Sequence, residues 1–414
     1  MGHKGFLGMA ACGLAATVLM PTAANSAQDR VSATEKGSLL IYSKVEVRWD
    51  SSGNLCQDTF ISMSNDAPSD VFVQMYFING DAPLYADYGA DCDHPGWNFS
   101  DVLMNLTGNQ PTYWSVADPG GFTPFGVLDP GCADYPGNAA GRFDEDEGKY
   151  YIRGMVYGWA VVKDQGGSGV VEIRHNHLSG SATLLNYEDS TAWEYNAWAF
   201  QRNVGEEGVV DGDSDNMLDL SDGGEYAPAF GLLLLNFQAV GSDAFSIDGT
   251  TVTTNTDVTL HPVSIDFQDG SSPILTKAHY DVWNENEIKL SGAFRCIECW
   301  DQTLLSDYGI PNHFLINTLQ TDQGKARIDG LASPLCDYEY GEGDDITEVL
   351  SEDTALLGVS ARDYYFDGDL SARSGTNLIG MGTESASIVY MEMPPPPEAP
   401  NSPVRSLEKL LLSR

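Results

Sequence analysis

The sequence predicts an all-β protein of two β-sandwich (immunoglobulin-like) domains, disulfide-braced, with long loops and a few short helices. Three observations predict it. Apolar residues alternate with a period of two in run after run, and the first 200 residues show no convincing helical period. Gly, Asp, Asn and Pro recur between those runs as turn residues. A unit of two strands and a polar turn occurs early, at 55–80, and again late, at 258–287.

Residues 1–27 read as a cleavable secretory signal. Lys4 marks a basic start, Phe6 to Met20 is apolar and small, and Pro21 and small residues lead to cleavage after Ala24, Ser26 or Ala27. A lipoprotein signal at Cys12 fits less well, because the apolar run continues past it. Residues 28–205 form the expected N-terminal sandwich. In 38–49, Val45, Val47 and Trp49 face one way and Lys44, Glu46 and Arg48 the other, a strand with a solvated side. In the early unit, Val71, Val73, Met75 and Phe77 give the second strand one apolar face, and Asn65 to Ser69 supply the turn. These first strands are expected to form a meander. Residues 81–148 read mostly as loop, rich in Gly, Pro and Asp. Strands follow at 149–163, 167–177, 180–187 and 192–201.

An acidic, Gly-rich segment, 203–226, marks the boundary to the second sandwich, 206–393. Strands are expected at 232–240, around the Asp248-Gly249 turn, at 258–267 and 276–287, and at 287–295, 324–330 and 378–393. Residues 300–308 and 346–357 are the short-helix candidates. Residues 394–414 form a proline-rich linker and tail.

Charge and cysteine content bound the function. With 60 acidic against 21 basic residues, the formal net charge is −39. No basic stripe is available for phosphates, so nucleic acid is excluded as a partner. No run after the signal is long and apolar enough for a membrane-spanning helix. Six cysteines follow the signal: Cys56, Cys92, Cys132, Cys296, Cys299 and Cys336. In an exported chain they are disulfide candidates, and their connectivity stays open. The expected brace is Cys336 reaching Cys296 or Cys299.

The segments KGSLLIYSKVEVRWD, QDTFISMSNDAPSDVFVQMYFINGD, NYEDSTAWEYNAWAFQ, FRCIECWDQTLL and GKARIDGLASPLCD span much of residues 35–390. They resemble an uncharacterised family of exported bacterial β-rich proteins. The resemblance implies secretion and a β-rich fold, and it carries no activity.

Several constellations invite chemistry. Asp211, Asp213, Asp215, Met217 through its carbonyl, Asp219 and Asp222 occupy positions 1, 3, 5, 7, 9 and 12 of a twelve-residue loop, the oxygen spacing calcium prefers. The loop resembles calcium loops of the EF-hand and dockerin kind. It departs from them in Asn216 for glycine, in the short Asp222, and in lacking flanking helices; the plainer reading is an acidic turn. His175 and His177 would share one face of a strand and could bridge a metal, with a third ligand from His94, His261 or His279. As plain structure they are two surface imidazoles beside a turn. Cys296 and Cys299 form a C-x-x-C step, half a zinc site or a redox pair by spacing, and a loop staple by compartment. Trp193, Tyr195, Trp198 and Phe200 could stack on sugars, but aromatics on both faces of a strand are more often packing.

No nucleophile elbow, H-E-x-x-H, G-x-G-x-x-G or P-loop is present, so no catalytic residue is nominated. The expected function is non-enzymatic binding or assembly at the cell exterior, with an extracellular protein or glycan as partner. The alternatives are a secreted hydrolase acting on polysaccharide and a calcium-stabilised structural protein.

Overall fold

A computed structural model describes residues 32–80, 99–117, 142–145, 147–163, 169–205, 208, 218–220, 225–241, 243–247, 249–263, 275–342, 345–382 and 388–389. The protein is all-β. The signal, Cys92, Cys132, the Asp269 to Pro273 turn and the proline-rich tail lie outside the described residues.

The first half forms one large sheet. Its strands are β1 (Leu39–Asp50), β2 (Leu55–Asn65), β3 (Val71–Asn79), β4 (Phe99–Leu106), β5 (Gln110–Ser115), β6 (Arg142–Asp144), β7 (Lys149–Lys163), β8 (Val170–Glu172), β9 (Leu178–Asn186), β10 (Thr191–Asn196) and β11 (Trp198–Phe200). The main path runs β10-β9-β2-β1-β7-β3-β4. Strands β4, β5 and β6 fall in the stretch expected to be mostly loop.

The second half begins with β12 (Leu218–Asp219), β13 (Leu232–Gln238), β14 (Asp243–Ile247), β15 (Thr250–Pro262), β16 (Leu275–Asn284), β17 (Lys289–Glu298) and β18 (Asp301–Leu304). The one-turn helix α1 (Ile316–Leu319), β19 (Gln323–Leu331), β20 (Tyr338–Glu342), β21 (Asp345–Val349), β22 (Leu356–Phe366), β23 (Asp369–Asn377), β24 (Ile379–Met381) and β25 (Ile388–Val389) complete it. One sheet has the order β17-β16-β19-β13-β24; a second has β14-β15-β22-β23, with β18 beside β15.

Both helix candidates are corrected. Residues 301–304 pair with β15 as β18, leaving only a 3₁₀ turn at Leu305–Asp307. Residues 345–349 form a hairpin with β20, and Leu356 opens β22. Tertiary pairing overrides what local pattern suggested there.

The expected meander also fails, for a reason that explains the recurring unit. β2 pairs with β1, β5 and β9, whereas β3 pairs with β4 and β7, so the Asn65 to Ser69 turn does not close a hairpin. In the early unit β2 and β3 stay in one sheet but are separated there by β1 and β7, whereas the late counterpart sends β15 and β16 into different sheets.

β3 is buried on both faces. Val73, Met75 and Phe77 enter a cluster drawn mostly from the first half, with Ile61, Met63 and Trp193, that also takes in Val359 and Ala361 of β22. Tyr76 and Ile78 enter a larger cluster that joins Trp159 and Phe200 to Leu233, Phe237, Tyr280 and Phe314 of the second half. One apolar core therefore draws on both sides of the 203–226 segment. A second junction sets Trp193 of β10 against Gly375 of β23, where an added Cβ would come within 1.8 Å of the indole. Beside it, Asn377 exchanges two hydrogen bonds with the Asn196 backbone.

A bulge in β1 positions the functional residues. Tyr42 stands opposite Val156 and Val45 opposite Gly154, so Ser43 and Lys44 share one partner position. The extra residue keeps Val45 and Val47 on the same face as Leu40 and Tyr42, in the first-half core. The opposite face, apolar at Leu39 and Ile41, continues as Lys44, Glu46 and Arg48. That face is not solvated as the sequence suggests: Lys44 and Glu46 are each only 3% exposed, because the β15 sheet lies across from them.

Candidate functional site

A polar cleft of about 340 Å³ opens between these layers. β1 contributes Lys44, Glu46 and Arg48; Asp257 comes from β15, Gln302 from β18, Asp363 from β22 and Arg373 from β23. The floor is a chain of charges. Lys44 Nζ lies 2.7 Å from Asp257 Oδ2 and 3.9 Å from Glu46 Oε2, and it stands over the Trp193 ring. Gln302 Nε2 donates to the same Asp257 Oδ2 at 2.6 Å. Arg48 Nε donates to Glu46 Oε1 at 2.6 Å, and its Nη1 to Glu147 Oε2 at 2.7 Å. Arg373 clamps Asp363 with two hydrogen bonds, of 2.5 and 2.9 Å.

These contacts set the charge states. Burial pushes the Glu46 carboxyl up, but Arg48, Lys44 and Arg153 outweigh it and hold the group at about 2. Burial works against the charge on Arg373, and its bonds to Asp363, with the nearby charges of Asp257 and Glu46, raise its pKa instead. At the rim, Lys149 bridges Glu188 at 2.5 Å and Glu147 at 3.4 Å. The thiol of Cys56 also lines the cleft, pushed up by burial and by Glu188. It is therefore a poor nucleophile.

Beside the cleft, the same bulge ties the halves together. Trp300 Nε1 donates to the Ser43 carbonyl at 2.8 Å. His261 Nδ1 faces the Pro262 carbonyl at 2.9 Å, and a carbonyl can only accept, so this nitrogen carries the proton. Nε2 is then the acceptor for the Ser43 hydroxyl, 3.0 Å away. A serine–histidine contact of this kind resembles an activated nucleophile. Both residues are fully buried, however, and burial lowers His261 to about 4, so the pair acts as an internal clasp.

The residues singled out from sequence are placed as follows. Of the calcium loop, Asp219 is described: it lies in β12 opposite Ile388, and its carbonyl accepts from Tyr226 at 3.0 Å. Asp211, Asp213, Asp215, Met217 and Asp222 lie outside the described residues. Leu218 and Leu220, at the loop's end, are buried in the shared core.

His175 and His177 sit in the turn after β8 rather than on a strand. His175 Nε2 meets Asn65 Oδ1 at 2.9 Å, and His177 Nδ1 meets Asp66 Oδ1 at 2.8 Å. Burial, then the neighbouring His177, lowers His175 to about 4. Of the candidate third ligands, His279 lies on β16, 3.1 Å from Asp329, His261 is engaged by Ser43, and His94 lies outside the described residues. Among the described residues no group of three or more His, Cys, Asp or Glu converges to hold a metal.

Cys296 bonds to Cys336, as expected of the brace, across a sequence separation of 40. Cys56 and Cys299 are buried thiols, which corrects their candidacy as disulfide partners. Cys296 is exposed on β17 and bonded to Cys336, while Cys299 lies just past the strand's end and is buried, so the C-x-x-C step is not paired as a redox couple. Trp193 and Tyr195 pack in one core cluster and Trp198 and Phe200 in the other, the packing role. Glu298, whose carboxyl burial pushes up, is held by the Tyr338 hydroxyl near the disulfide.

Comparison with known proteins adds no identity. No protein-family model matches the chain. No curated protein matches it. Among solved structures it is similar to the cryo-EM atomic structure of Broad Bean Stain Virus, at 8% identity over 90% of this chain and 99% of that one, with a TM-score of 0.16. It is also similar to the crystal structure of the CupB6 tip adhesin from Pseudomonas aeruginosa, at 10% identity over 85% and 93%, with a TM-score of 0.10. At such TM-scores neither likeness carries an argument.

Proposed function

We propose that this is an exported, non-enzymatic binding or assembly protein of the cell exterior, built from two immunoglobulin-like sandwich domains. The signal-like first 27 residues, the resemblance to exported bacterial β-rich proteins and the Cys296–Cys336 bond support export. The observation that carries the non-enzymatic reading is the pairing of the buried cleft carboxylates. Glu46, Asp257 and Asp363 are each bound to a cation of the chain itself. A glycoside hydrolase needs one carboxyl held protonated near neutral pH to give its proton to the leaving group. Glu46 is driven the opposite way.

Incubating the secreted protein with a panel of polysaccharides and measuring new reducing ends tests this. No release is expected; release that Glu46→Gln abolishes would establish the hydrolase instead. N-terminal sequencing of exterior material should begin after Ala24, Ser26 or Ala27. A calcium-stabilised form is compatible with this reading. Leu218 and Leu220 sit in the core, so a cation ordering the loop from Asp211 to Asp222 would act on the core itself.

A further inference from the structure

We infer that the cleft admits an organic cation bearing N–H donors, a guanidinium or primary ammonium group, which docks on Asp257 Oδ1 and Gln302 Oε1. The inference rests on the binding reading above and gives it a ligand class.

The floor of the cleft has unmet needs of one kind. Asp257 Oδ1 and Gln302 Oε1 are both buried, and neither receives a hydrogen bond within the protein. Asp257 is only 6% exposed, and its other oxygen already takes Lys44 and Gln302. A buried oxygen left without a donor is destabilising, so a ligand supplying two donors removes a standing penalty. Both orphans are acceptors; the cleft asks for donors.

Charge narrows the class. Six carboxylates and four basic side chains line the space, so it is net negative before a ligand enters. An anion would meet that excess and bring no donor. A neutral polyol brings donors without charge. A guanidinium or ammonium group brings both, and the −39 charge of the chain steers it inward. Leu304, Tyr365 and Leu370 supply apolar wall for an aliphatic stem. A volume of about 340 Å³ falls within the usual range of small-ligand sites, roughly 300–1,000 Å³.

The test is calorimetric titration of the whole mature protein at fixed ionic strength, using arginine amide and 1,4-diaminobutane as probes. Tetramethylammonium, a cation without N–H, and xylitol, a neutral donor, are the controls. Saturable one-to-one binding of the two probes is expected, with neither control binding. Asp257→Asn changes the net charge by one in 39. It would leave non-specific attraction intact, yet should weaken the site about tenfold or more, as should Gln302→Met. If Asp257→Asn does not fold by circular dichroism, Gln302→Met alone reads the contact.

A pentapeptide with central arginine binding more tightly than arginine amide would point to a protein side chain as the source. The reverse order would point to a free amine. No saturable binding, equal binding of either control, or variants that bind as the wild type does would each overturn the inference. Those failures leave the non-enzymatic reading standing. If the probe is recovered chemically altered, that reading fails while the site survives.

Discussion

Replacing His261 with glutamine should make the protein less sensitive to mild acid. In the unfolded chain this imidazole titrates near 6.5; in the folded chain burial, offset only in part by the Pro262 carbonyl, holds it at about 4. The folded value is the lower one. The stability gained by keeping the ring neutral is therefore complete above pH 6.5 and is lost as pH falls toward 4. Between pH 8 and pH 5 the linkage amounts to about 2 kcal/mol for this one group. Glu46 adds little in that window, because its unfolded value is 4.5 and its loss comes lower. Glutamine cannot titrate and still offers an oxygen to the Ser43 hydroxyl. Urea unfolding followed by tryptophan fluorescence at both pH values would give the loss for each protein. Wild type should lose about 2 kcal/mol more than His261→Gln over this range. Equal losses would refute the argument that His261 is the buried neutral clasp.

Other perturbations reach different parts of the structure. Lys44→Met should cost about 3–5 kcal/mol by stranding buried Asp257, and adding Asp257→Leu should restore most of it in the same urea assay. A double variant no more stable than the single would contradict that pairing. Replacing Cys296 and Cys336 together by serine should lower stability by about 4 kcal/mol, from the loop of 40 residues they close. Intact mass after alkylation should show both blocked in the native protein. If the acidic loop binds calcium, chelation lowers the melting temperature and Asp213→Ala removes that response. A melting curve indifferent to chelator ends the calcium reading.

Much of the fold was legible because alternation survives in the sequence: the strand read at Lys149 to Lys163 is β7 to the residue. That these turns do not close hairpins was not legible. Asn65 to Ser69 carries the chemistry of a tight turn whether or not its strands pair, and partners are set by distant segments. The helix candidates failed likewise, since β18 exists only by lying against β15.

The site was missed for a more instructive reason. Lys44, Glu46 and Arg48 read as a solvated face because charges at every second position usually are. The contrary signal was present. Apolar positions run Leu40, Tyr42 and then Val45, Val47, a change of parity that only an extra residue can absorb. That phase break marks the bulge, though nothing nearby marks Asp257 or Arg373 as its neighbours. The expected brace from Cys336 held, while Cys56 lines the cleft and Cys299 packs in the shared core, neither of them in a disulfide.

Titrating the Glu46 carboxyl by carbon-13 NMR addresses most directly whether the cleft binds or catalyses. The network of Lys44, Arg48 and Arg153 should keep it ionised down to about pH 2. A midpoint at pH 5 or above would mean that the carboxyl is protonated, as a general acid must be, and would return the cleft to catalysis.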